Sequence, residues 1–215
     1  MPTGLESARQ MITGAFMALP MMIIAFTFFI GFGLGNVGLI LLFLGQITVV
    51  PAATYLLQLL SISKLPNYDI CNLVPSSSGR GGLLNVGPSF WMAQFLFFIG
   101  YVLQNAHTLY VQVADVAAPE AKVQNRKEQA LTAMIVTIVI AFIVVGLRLK
   151  FTGCETVVGT AVAAAIMIPI GVGWYMFAAA CGVRNADVFG ISSKILSVGA
   201  TEPPPQVCVP GAVTK

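Results

Sequence analysis

What most limits this chain is where its charged side chains are missing. Its 11 Lys and Arg and 8 Asp and Glu residues leave four long stretches with no charge: Gln10 to Ser63, Gly81 to Ala114, Gln129 to Leu147 and Thr156 to Val183. A side chain that stays charged is costly near the bilayer centre, so membrane spans are built from such stretches. One spanning helix takes about 20 residues. The first stretch is too long for one span, and its middle holds Gly31-Phe-Gly-Leu-Gly-Asn36-Val-Gly38, a cluster of the kind that makes a turn. Dividing it there gives two helices.

The fold class expected is therefore all-α: a polytopic integral membrane helical bundle of about five transmembrane helices. The spans are read at Met11 to Phe32, Val37 to Leu60, Phe90 to Val113, Ala130 to Leu147 and Val157 to Cys181. Residues 1–185 form the transmembrane domain and 186–215 a tail containing Pro203-Pro204-Pro205. Composition agrees, because 57% of the residues are hydrophobic and 9% charged, against about 25% charged in soluble domains. Glu6 precedes the first apolar run and no small-x-small site clearly ends it, so the first span is expected to persist in the mature protein.

Pro20, Pro51 and Pro169 fall inside spans, as membrane helices tolerate. Gly159, Ala163, Ala164, Ala165, Gly171 and Gly173 would let the fifth span pack centrally or against another protomer. The connection Ile62 to Ser89 reads as an irregular surface loop. The one from Ala114 to Gln129 reads as a solvated helix end.

Several function classes are disfavoured. A net charge of +3, with scattered basic residues, lacks the stripe that nucleic acid requires. Every Asp and Glu lies outside the expected spans, which argues against ion-coupled transport. Gly79-Arg-Gly-Gly82 lacks the Lys-Ser/Thr ending of a phosphate loop. Cys71, Cys154, Cys181 and Cys208 contain no C-x-x-C pair. Five spans put Cys71 and Cys154 on one side, so a disulfide between them and two free thiols both stay open. His107, the single histidine, is read as structural. No catalytic residue, cofactor or metal site is expected, and the chain is not read as an enzyme. Basic residues divide five against six between the two sides, so the positive-inside rule gives no orientation.

At Trp91-Met-Ala-Gln-Phe95, Asn125-Arg-Lys127, Gly153-Cys-Glu-Thr156, Trp174-Tyr175 and Asp187-Val-Phe-Gly-Ile191, the chain resembles small multi-span, minor capsid-associated membrane proteins of large double-stranded DNA viruses of algae and amoebae. The resemblance covers residues 85–195. It implies a structural protein of the virion's internal membrane, assembled from host endomembrane, whose partners are lipids, capsid or other virion proteins, and further copies of itself. Lys122, Arg126, Lys127, Arg184 and Lys194 would then be partner contacts. The alternatives are a cellular membrane-organising scaffold and a small channel or uncoupled transporter.

Overall fold

Gly35 stands at φ +62°, a conformation that glycine adopts freely, and the chain reverses there. The Asn36 amide donates to the Gly31 carbonyl (2.9 Å), closing the preceding helix. The Asn36 side chain accepts from the Leu39 amide (3.1 Å), capping the next one. The turn expected in the glycine cluster is thus built by two of its residues.

In the computed structural model, residues 4–59, 64–65, 84–85, 89–113, 120–152, 155–182 and 186–189 are described. Five α-helices make up the bundle: α1 Gly4–Leu34, α2 Val37–Leu59, α3 Phe90–Val111, α4 Glu120–Leu147 and α5 Val157–Ala180. A π-helical turn, Arg148–Thr152, extends α4. Within the expected surface loop, β1 (Lys64–Leu65) pairs antiparallel with β2 (Leu84–Asn85), a short regular element that composition did not signal.

Helix direction follows from the residues that meet. Phe16 of α1, Trp91 of α3, Arg148 after α4 and Glu155 before α5 gather at one end. Gly38 of α2, Tyr101 of α3 and Ala186 after α5 meet toward the other. Accordingly α1, α3 and α5 run one way and α2 and α4 the other, the alternation that five consecutive passes produce.

Three segments, Val37–Leu57, Glu120–Lys150 and Val157–Ala180, are each long and apolar enough to cross a membrane, and α1 adds a shorter apolar run, Ala18–Leu34. Their outer surfaces match that solvent. In α4, Ile135, Val136, Val139, Phe142 and Ile143 are all exposed, as are Phe26, Phe29 and Phe32 of α1. Only 3 of the 28 residues of α4 are buried. In water such a surface would be an aggregation site; in lipid it is solvated. The chain is an integral membrane protein.

The centre is α3, with 14 of its 22 residues buried. The fifth span was expected to pack centrally or against another protomer; α5 packs along α3, which is the more buried of the two for a physical reason. A membrane centre requires close approach more than hydrophobicity, and α3 achieves it through reciprocal glycines. A Cβ on Gly100 would strike the Ile168 carbonyl of α5, and one on Gly171 of α5 would strike the Phe97 carbonyl of α3. Lipid tails are as apolar as leucine, so such packing and interhelical hydrogen bonds hold the helices together. Pro20, Pro51 and Pro169 lie inside α1, α2 and α5, as expected.

Candidate functional site

Two ends of the bundle carry polar chemistry. At the first, α3 and α5 both begin. The Ser89 hydroxyl caps α3 by accepting from the Met92 amide (3.1 Å), and Thr156 caps α5 by accepting from Gly159 (3.0 Å). Glu155 lies between these two amino-terminal ends, where helix dipoles favour an anion. The Ser89 hydroxyl donates to Glu155 Oε1. Arg148 Nε lies 3.8 Å from the same oxygen, and both side chains are fully buried.

The Arg148 guanidinium also stands 4.7 Å from the centre of the Trp91 ring, in cation–π contact. The indole of Trp91 donates to the Phe16 carbonyl (3.3 Å), which brings α1 into the cluster. One buried network therefore links four elements. Burial pushes the Glu155 carboxyl up from its ordinary range, against the Ser89 hydroxyl, the Arg148 charge and the Ser89 amide, which all pull it down. Both partners of the ion pair are withdrawn from solvent. The pair can pin helix ends and keep a charge out of lipid.

The opposite end presents surface. There α4 begins ten residues before its expected span, so residues 120–129 are the solvated helix end expected between the third and fourth spans. Gln124 and Glu128 pair at 2.9 Å, and Gln129 and Asn125 at 3.1 Å, supporting this polar stretch along its own axis. Lys122 and Lys127 are exposed. Arg126 is not: it is 5% exposed, and its guanidinium donates to the Gln112 carbonyl at the end of α3. Its expected place among the partner contacts is therefore corrected. It lies on the helix face turned toward α3, where a cation satisfies a terminal carbonyl.

On the same end, residues 186–189 fold back over the bundle. The Tyr101 hydroxyl approaches the Gly38 and Ala186 carbonyls (3.3 and 3.4 Å), and Asn36 Nδ2 donates to the Val188 carbonyl (3.3 Å). Asp187 accepts from the Phe189 amide (3.0 Å).

The chain matches no known protein family, no characterised protein and no solved structure.

The other anticipated residues separate. Cys71, Cys154, Arg184 and Lys194 lie outside the described residues. His107 is exposed near the far end of α3, remote from Glu155, as the five-span reading expected. Among the described residues, no group of three or more His, Cys, Asp or Glu side chains could hold a metal. Sequence reasoning missed Ser89 and the coupling of Arg148 to Glu155. The available signal was two caps, Ser89 and Thr156, each opening an apolar run, with the acid Glu155 beside one and the bases Arg148 and Lys150 just after α4.

Proposed function

We propose that this protein is a structural component of a virion membrane, holding the internal lipid layer to the overlying capsid. The carrying observation is the polar continuation of α4. It is a rigid helix that rises beyond the apolar section for ten residues, about 15 Å at 1.5 Å per residue, and it offers Lys122 and Lys127 outward. The resemblance of the sequence motifs supports the same reading. Asn125 and Lys127 of one motif and Phe189 of another are exposed at this end, where a protein layer above the membrane would meet them. Trp91 and Glu155, from two further motifs, belong to the buried cluster that pins the helices.

A structural role also accords with the bonds of three internal polar groups. Thr27, Gln46 and Gln94 are buried and joined to one another or to backbone. This favours interhelical glue over a conducting path.

The test is co-purification. The protein should travel with intact particles through density-gradient separation and stay with the membrane-and-capsid fraction. Its absence from purified particles sinks the proposal. Ion or solute flux through liposomes carrying the protein alone would move the reading to a channel, and enrichment in cellular membranes without particles would move it to a scaffold.

A further inference from the structure

The bundle buries two arginines and neutralises them differently. Arg148 has a carboxylate oxygen of Glu155 3.8 Å from its Nε. Arg126 has no such partner: among the described residues, no Asp or Glu oxygen lies within ion-pair distance of it. A guanidinium carries five N–H donors. In Arg126, Nη2 donates to the Gln112 carbonyl, and the buried Nε has no partner. A carbonyl satisfies a donor but does not cancel a charge, and a buried cation without an anion is costly.

The position of Arg126 along α4 names a source for that anion. Ala130 opens the apolar section one turn later. Arg126 therefore lies about 6 Å outside it, at 1.5 Å per residue, within the headgroup zone that adds about 5–8 Å to each side of the hydrocarbon core. The abundant anion at that depth is the phosphate of a phospholipid, which matches the planar fork of an arginine.

The rest of α4 sorts by side. At about 100° per residue, exposed Lys122 stands roughly 40° round the helix from Arg126, while Glu120, Gln124 and Glu128 form a stripe nearly opposite. The flank that carries Lys122 continues through Gln129 to Val136, all exposed. A headgroup at Arg126 thus has apolar helix surface beneath it for an acyl chain, and no acid beside it on α4.

We infer that Arg126 is the seat of a bound anionic phospholipid. Its guanidinium holds the phosphate at the seam between the end of α3 and α4, Lys122 one turn farther out adds attraction, and one acyl chain lies along the flank that carries Val136.

Native mass spectrometry of the full chain, released from micelles with added dioleoylphosphatidylglycerol or dioleoylphosphatidylcholine, tests this. The wild type should bind the anionic lipid about tenfold tighter, the worth of one charge-assisted hydrogen bond. Arg126→Gln should lose that preference, and Lys127→Gln, which removes an exposed charge from the other flank, should keep it. An undiminished preference in Arg126→Gln, or an equal loss in Lys127→Gln, would overturn the inference. So would displacement of the lipid by inorganic phosphate, which would make the site one for a free anion, or a preference seen only after Asp115→Asn, which would make Asp115 the counter-charge. A photoreactive benzoylphenylalanine asks the same question without touching Arg126. In nanodiscs holding equal amounts of the two lipids, it should capture the anionic lipid in excess from exposed Val136 and both lipids equally from exposed Ile138, about 160° round the helix. The same capture ratio at both positions would overturn the inference.

Discussion

Arg148 and Glu155 face each other across the α4–α5 connection, 3.8 Å apart between Nε and Oε1, with both side chains fully withdrawn from solvent. The pair sits where a bundle in lipid is most exposed to error, at a turn between two spans. Removing two charges from water is costly, and their attraction returns that cost only if further hydrogen bonds satisfy them. Ser89 supplies one of those bonds, and the face of Trp91 supplies a further contact with the cation.

Arg148→Met should therefore destabilise the bundle by about 3–5 kcal/mol, because it leaves a buried carboxylate without its cation. Arg148→Met combined with Glu155→Leu should recover most of that loss. Reversible unfolding in micelles, or steric trapping in bicelles, measures both.

The sign of the pH dependence in Arg148→Met is fixed. Burial already raises the carboxyl of Glu155, and removing Arg148 takes away one of the interactions that pull it down. A raised folded-state value means that the group's contribution is fully present below the ordinary carboxylate range and is lost as pH rises through the raised value. The variant should thus regain stability on acidification, and adding Glu155→Gln should remove that dependence. Unfolding followed across the acidic range reads it directly.

Ser89→Ala deletes the cap of α3 and a bond to Glu155 together. Loss of an N-cap costs about 0.5–2 kcal/mol, and the charge-assisted bond adds to it. Ser89→Thr keeps a hydroxyl and should recover part of the loss in the same unfolding measurement.

Two glycines of α5 should behave oppositely. A Cβ at Gly171 meets the Phe97 carbonyl, whereas Gly173 has nothing within 4 Å. Gly171→Ala should cost about 1–3 kcal/mol by overpacking. Gly173→Ala should be neutral or stabilising by up to about 1 kcal/mol, as expected of glycine replaced by alanine at an open helical site. Thermal unfolding of the two variants side by side distinguishes them.

Much of this fold was legible because lipid imposes a one-dimensional rule: charges mark where spans stop. Arg9, Lys64, Arg80, Asp115, Glu128, Arg148, Glu155 and Arg184 bound the four uncharged stretches, and the five helices lie over them, with α1 and α4 beginning earlier than expected, at Gly4 and Glu120. The early start of α4 followed from its Ala, Lys, Gln, Arg and Glu residues, which continue a helix in water as readily as apolar ones do in lipid. What composition could not convey was partnership. Arg148 and Glu155 read as two ordinary boundary charges, and only the π-helical turn and the cap at Ser89 bring them together. Arg126 likewise looked like one of three exposed cations, because its direction depends on where the last carbonyls of α3 stand. The central place of α3 was obscured by Gln94, Gln104, Asn105 and His107, which lower its hydropathy; the protein around it, not lipid, is its main solvent.

The most direct measurement of the structural role is cross-linking mass spectrometry on intact native particles, before detergent disperses the membrane. Lys122 and Lys127, both exposed on the polar continuation of α4, should join capsid proteins. Links from these lysines only to copies of this chain or to cellular membrane proteins would contradict the account.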